Sequence, residues 1–241
     1  MATPKAVVLL SGGMDSATCL HLAAARHYQV HALTVHYGQR HLRELEAARQ
    51  IALRLPVASH QEVQLDLTGI CRSSLTSTEG AVPKGGLAQG IPSTYVPARN
   101  TILLSLAMGW AETLQARDIF IGINAIDYSG YPDCRPAFLE AFQHLANLGT
   151  RAGVSGQSIR MHAPLLHMSK ADIVREGLAL GVDFAMTHTC YSPDYRGWAC
   201  GLCDACRLRL AGFAEAGVQD PAPYLTLPQP VMDVSPDGAF D

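Results

Sequence analysis

A short apolar run, Lys5-Ala-Val-Val-Leu-Leu10, stops abruptly at Ser11-Gly-Gly-Met-Asp-Ser16, and a stretch of helix-forming residues follows. A strand this short and uniformly apolar is buried on both faces, as in a parallel sheet. Gly12 and Gly13 let the chain turn sharply and expose its amides. The turn leads into a helix whose free N–H groups and positive dipole end favour an anion. The hexapeptide therefore lies at the carboxyl edge of a sheet, where open α/β folds bind ligands. Ser11 and Ser16 add hydroxyl donors. Neither G-x-x-x-x-G-K-[ST] nor G-x-G-x-x-G is present, so this is a different phosphate loop from those two.

The rest of the chain repeats the strand–helix alternation. Strands are predicted at residues 5–10, 30–36, 61–65, 118–123 and 158–162. Helices are predicted at 15–26, 41–55, 100–114, 136–148, 169–180 and 204–215, with Pro56 ending the second and Asn100 capping the third. This order predicts an α/β fold: a doubly wound parallel sheet, Rossmann-like, with right-handed crossovers. Residues 66–99 are rich in Gly, Ser, Thr and Pro, and a loop of that length inside a compact domain is usually functional or mobile. We expect residues 1–186 to form the α/β domain. Residues 187–241 then carry a cysteine knuckle, a short helix and an extended tail, packed on the first part rather than independent.

At 16% charged residues and a formal charge of −3, the chain suits neither disorder nor a nucleic-acid coat. Met1 to Lys5 lacks the pattern of a secretory signal, and no apolar run is long enough to span a membrane. A soluble cytoplasmic protein is the expectation. A disulfide framework is then not expected among its seven cysteines. Four of them, Cys190, Cys200, Cys203 and Cys206, crowd into a C-x9-C-x2-C-x2-C pattern. Four thiolates suit tetrahedral Zn²⁺ in a closed, structural site. An iron–sulfur cluster is the alternative that four cysteines can also hold. Further upstream, Ser169-Lys-Ala-Asp172 has the form of a capping box. It puts Lys170 in a first helical turn, either as a solvated lysine or as a contact to a bound anion.

The phosphate loop resembles that of the N-type ATP pyrophosphatases, the PP-loop superfamily. This likeness implies ATP cleavage between the α and β phosphates, with an adenylated intermediate. It makes Asp15, Ser16 and Lys170 the catalytic candidates. It also implies nucleotide contacts along Leu10, Ser11, Gly12, Gly13, Met14, Asp15, Ser16, Ala17, Thr18, Cys19 and Leu20. Because Asp15 would repel phosphates, Mg²⁺ is expected beside it.

Three further strings, Tyr95-Val-Pro-Ala-Arg-Asn100, Ser129-Gly-Tyr-Pro-Asp-Cys-Arg-Pro136 and Thr187-His-Thr-Cys-Tyr191, resemble the 7-cyano-7-deazaguanine synthases of queuosine biosynthesis. The likeness runs from about Lys5 to Tyr224. It implies a carbon–nitrogen ligase that uses ATP and ammonia to convert 7-carboxy-7-deazaguanine to the amide and then to the nitrile. No glutaminase segment is present, so free ammonia is the expected nitrogen source. The same resemblance implies a homodimer acting on small molecules, without nucleic-acid or membrane partners.

Within that reading Asp127 and Asp133 are candidates for the guanine-like edge of the substrate. Arg99 or Arg135 can hold its carboxylate or a phosphate, and Tyr131 can stack on the heterocycle. Gln39, Arg40 and His41, just after the second strand, can touch ATP or simply begin a helix. Three positions depart from the expected pattern: Ala98 stands where glycine is common, Ala137 where an acid is usual, and His188 where a small or aromatic residue is. Other readings remain: a PP-loop enzyme passing the activated acid to a protein or RNA acceptor, or a non-enzymatic zinc-knuckle module.

Overall fold

The computed structural model of the chain describes residues 3–77, 82–84, 90–124 and 130–227. Strand β1 (Lys5–Leu9) is buried on both sides. Its alternate residues divide between two cores, Ala6 and Val8 facing one way and Val7 and Leu9 the other, as a strand's period of two requires. Beside it run β2 (Gln29–His36), β3 (Ser59–Gln64), β4 (Asp118–Phe120) and β5 (Arg160–His162). All pair in parallel, in the order β3-β2-β1-β4-β5. The order reverses direction at β1 and β4, so a crevice opens at their carboxyl ends.

Helices cover both faces, which is the doubly wound arrangement expected from the alternation. Helices α1 (Met14–Ala25), α2 (Arg43–Arg54) and α6 (Lys170–Ala179) pack on the first core through residues such as Leu20, Ile51 and Ile173. Helices α3 (Arg99–Leu114) and α4 (Pro136–Gly149) cover the other through Leu104, Ala107, Leu139 and Phe142. A one-turn helix, α5 (Arg151–Val154), follows α4 and was not expected from the pattern. The chain then passes from α6 through a short turn of helix at Phe184–Met186 to α7 (Asp204–Glu215). Strand β4 is shorter than expected at its carboxyl end, where Ile121, Gly122 and Ile123 leave the ladder and line the crevice, whereas β5 is shorter at its amino end, starting at Arg160.

The start of α3 corrects one expectation. Asn100 does not cap the helix; Arg99 is already helical, and Ala98 before it adopts a left-handed conformation (φ 53°). That conformation is one a glycine adopts without strain, which fits the glycine that the resemblance leads one to expect there. The cap comes from far along the chain: the Asp133 carboxylate accepts the Asn100 N–H at 2.9 Å, and Asn100 Nδ2 donates to the Asp133 carbonyl at 3.1 Å. The capping box of α6 forms as expected, with Ser169 and Asp172 each accepting the other's backbone N–H.

Candidate nucleotide site and four-cysteine centre

The phosphate loop is shaped by its neighbours as much as by its own residues. Gly12 has φ +90°, and a Cβ there would lie 2.1 Å from the Glu44 carbonyl oxygen. Only glycine lets α2 approach the loop so closely. Ser16 braces the turn from inside: its Oγ donates to the Gly13 carbonyl (3.0 Å) and accepts from the Ser11 N–H (3.2 Å) and Ser11 Oγ (3.1 Å). The first i−4 amide bond of α1 runs from the Ala17 N–H to the Gly13 carbonyl at 3.0 Å, so the amides of Met14, Asp15 and Ser16 lie in the helix's open first turn. The far wall of the turn is β4's exit: a Cβ on Gly122 would sit 3.0 Å from the Asp15 carbonyl.

Lys170, 155 residues away in sequence, reaches this loop. Its Nζ donates to Asp15 Oδ2 at 2.6 Å, and Asn124 Nδ2 donates to the same oxygen at 3.2 Å. Lys170 is nearly buried, so it is not the solvated lysine of the open alternative. Asp15 Oδ1, in contrast, is buried and accepts no hydrogen bond from the described residues. An anionic oxygen left without a donor beside a phosphate loop suits a hard divalent cation.

A cavity of about 220 Å³ opens here at the sheet's carboxyl edge. Leu10, Ser11, Gly13, Met14, Asp15 and Ser16 line it. Gly12, Ala17, Thr18, Cys19 and Leu20 do not: Gly12 is packed against α2, and the other four are fully buried within α1, where burial pushes the Cys19 thiol up to about 12. Arg99 and Tyr131 line the cavity, the Tyr131 hydroxyl bonding Thr94 Oγ1 at 3.0 Å and its ring stacking on Tyr95. Asp133 is buried in its capping role, and Arg135 is exposed ahead of α4; neither lines the cavity. Asp127 lies outside the described residues. Gln39, Arg40 and His41 all line it, Gln39 Oε1 being held by the Tyr37 N–H at 2.9 Å.

Sequence reasoning missed Tyr37, Glu44 and Tyr191 as cavity residues. Burial raises the Tyr37 hydroxyl and pushes Glu44 up to about 7, against the opposing pull of Arg99. Glu44 lies one turn after the Gln39-Arg-His41 string, and that helical spacing from the sheet edge was the available signal. His188 also lines the cavity; burial pushes it down to about 4, and its Nε2 has no partner among the described residues.

The four cysteines meet as their spacing implies. Their sulfurs all lie within 4.8 Å of one another, and all four residues are buried. Cys203 Sγ and Cys206 Sγ are 3.5 Å apart and Cys200 Sγ and Cys206 Sγ 3.9 Å. A tetrahedron with metal–sulfur bonds of about 2.3 Å has edges of about 3.8 Å, so these separations fit one metal ion. Backbone N–H groups of Ser192 and Cys200 donate to Cys190 Sγ, and those of Leu202 and Cys203 to Cys200 Sγ, as suits thiolate charge.

The cysteine region is bound to the nucleotide loop. The His188 N–H donates to the Gly12 carbonyl at 2.9 Å. Gly212 of α7 packs on the start of α6 so closely that a Cβ would lie 2.6 Å from Lys170 Cβ. Arg209, 2% exposed, donates to both oxygens of Asp220 (2.8 and 2.9 Å), to Thr187 Oγ1 (2.7 Å) and to the Phe184 carbonyl (3.0 Å). It thus clamps α7 to the segment that carries His188. Arg209→Met leaves the Asp220 carboxylate buried with Tyr224 as its remaining side-chain donor. Loss of about 3–5 kcal/mol is expected in denaturant unfolding, and an unchanged midpoint would contradict the clamp.

The sequence profile of the family described as "Queuosine biosynthesis protein QueC" matches residues 5–217. A protein named 7-cyano-7-deazaguanine synthase from Geobacter sulfurreducens is 58% identical over 225 residues, covering 93% of this chain and 94% of that protein. One of the same name from Xanthomonas campestris pv. campestris is 61% identical over 220 residues, covering 91% and 97%. Among solved structures, the NMN synthetase from Francisella tularensis superposes with a TM-score of 0.50 at 14% identity, over 90% of this chain and 79% of that one. At that identity the likeness concerns the fold alone.

Proposed function

The chain belongs to the queuosine biosynthesis protein QueC family, and from that premise we propose that it is an ATP-dependent ligase making 7-cyano-7-deazaguanine from 7-carboxy-7-deazaguanine and ammonia. A carboxylate oxygen leaves poorly as it stands, and transfer of an adenylyl group makes it a leaving group. Attack of the substrate carboxylate on the α phosphorus forms the acyl adenylate and releases pyrophosphate. Ammonia displaces AMP to give the amide. The amide oxygen is activated in the same way, and loss of AMP from the imidoyl adenylate leaves the nitrile.

The observation that carries this reading is the Lys170–Asp15 pair at the mouth of the phosphate loop, beside a cavity at the sheet's switch point. Charge develops on pyrophosphate as the α–β bond breaks. The amides at the start of α1 and the Lys170 ammonium are pre-placed to meet it. Asp15 would hold Mg²⁺ through its unpartnered oxygen, the ion supplying further charge neutralisation when bound. Arg99 and Tyr131, both in the cavity wall, are the candidates for the acid and the flat heterocycle. Asp133 and Arg135 stay candidates only if a bound substrate rearranges this rim, and Asp127 stays a candidate for the guanine-like edge. We assign Zn²⁺ to the four cysteines, as a closed structural site. No described helix is long and apolar enough to cross a membrane. We take the protein to act in the cytoplasm as a homodimer on free small molecules, as the family resemblance implies.

The test is isotope exchange between pyrophosphate and ATP. Exchange that requires both Mg²⁺ and 7-carboxy-7-deazaguanine, without ammonia, is the expected result. Exchange indifferent to the acid would overturn the reading.

A further inference from the structure

Ammonium is the dominant form of ammonia at neutral pH, and it has no lone pair with which to attack an adenylate. The proposed reaction therefore needs a proton acceptor close to the acyl carbon. Asp15 has one oxygen held by Lys170 and Asn124 and the other assigned above to Mg²⁺. Asp133 caps α3. Glu44, in the first turn of α2, lines the cavity, and its backbone carbonyl packs against Gly12 of the loop. It makes no ion pair with any described residue, and no described group donates a hydrogen bond to its carboxylate.

We propose that Glu44 is the general base that takes the proton from ammonium in the amide-forming step. The inference rests on the ligase reading above. In the step, the Glu44 carboxylate accepts one N–H proton. The freed lone pair forms the C–N bond, the bond from carbon to the AMP oxygen breaks, and AMP leaves with that electron pair. The nitrogen's second proton goes to the departing phosphate.

The surroundings suit the task. Burial holds the Glu44 carboxyl near the pH at which it must both accept and release a proton. Arg99 from α3 opposes that rise and keeps a fraction ionised. The Tyr37 phenol, at the end of β2, stays protonated because burial raises it. From the loop between β2 and α2, Arg40 and His41 share the cavity, and burial lowers His41. Asp15, Tyr131, Tyr191 and His188 also line the cavity. Among these groups Glu44 alone pairs a carboxylate with a titration near neutrality.

The test compares native protein with Glu44→Gln and Glu44→Asp at a fixed total ammonium concentration. Native amide formation should be nearly flat from pH 7 to 9, because bound ammonium is the substrate. Glu44→Gln should depend on free ammonia and rise about tenfold per pH unit over the same range. Glu44→Asp should fall between them. Hydroxylamine, uncharged at neutral pH, should be converted to the hydroxamate by Glu44→Gln at close to the native rate. Parallel pH profiles for native and Glu44→Gln would overturn the proposal, and so would a Glu44→Gln that makes no hydroxamate. Failure of the native protein itself to trap hydroxylamine or exchange pyrophosphate would count against the ligase reading instead.

Discussion

Lys170→Met is expected to lower kcat by about two to three orders of magnitude, the usual cost of removing one pre-placed donor from a developing anion. The argument is geometric. Lys170 is held at the first turn of α6 by the Ser169–Asp172 capping box, and its ammonium is aimed at Asp15 by a 2.6 Å contact. A cation in a first helical turn opposes the helix dipole. A nearly buried lysine there is sustained by Asp15 now and by a polyphosphate when one is bound. The Met side chain keeps the packing against α7, so the loss should fall on pyrophosphate exchange and less on stability. KM for ATP should rise by a smaller factor than kcat falls, because the charge being met is larger in the transition state than in ATP. Exchange within about threefold of native would remove Lys170 from the machinery.

The second large effect comes from a residue that touches no substrate. Gly212→Ala would ordinarily help a helix by about 1 kcal/mol. Here the new methyl would meet Lys170 Cβ at 2.6 Å, its carbonyl carbon at 3.0 Å and its carbonyl oxygen at 3.1 Å. Those atoms are anchored, so α7 or the start of α6 must shift. Overpacking of this kind costs about 1–3 kcal/mol. A displacement of Lys170 by about 1 Å can cost on the order of a hundredfold in rate. Gly109→Ala, inside α3, is the control: a Cβ there meets nothing within 4 Å. We expect Gly109→Ala to be neutral or stabilising and fully active. Gly212→Ala should be less stable and slower, with its bound metal content unchanged. Equal behaviour of the two variants would mean that the cysteine region does not position the phosphate site.

These two expectations mark what was legible from residues alone. The strand–turn–helix form of Ser11–Ser16 was legible because it is local: a strand, two glycines and a helix start suffice to place free amides at the sheet edge. The four cysteines were legible because ligand spacing constrains geometry within a few residues, and their sulfurs do converge. The sheet and its two covered faces followed from hydrophobic period and alternation. What remained hidden depends on elements distant in sequence. The α3 cap was assigned to Asn100 because the true acceptor, Asp133, comes 33 residues later. Glu44 reads as an ordinary polar residue of an amphipathic helix until α2 is seen against Gly12. Arg209 looks like a surface charge on a short helix, yet it is buried with Asp220. Four of the eleven candidate nucleotide residues, Ala17 to Leu20, proved to be core, because a helix turns its successive side chains away from the ligand edge.

The central claim is that this site joins AMP to a carboxylate, and a heavy-oxygen label tests it most directly. The native protein would be given ATP, Mg²⁺, ammonium and 7-carboxy-7-deazaguanine labelled in both carboxylate oxygens, and the products weighed by mass spectrometry. The account requires the nitrile to appear with labelled oxygen on AMP and none on pyrophosphate. Label in free orthophosphate together with ADP would contradict it, since the acid would then have been activated at the γ phosphate.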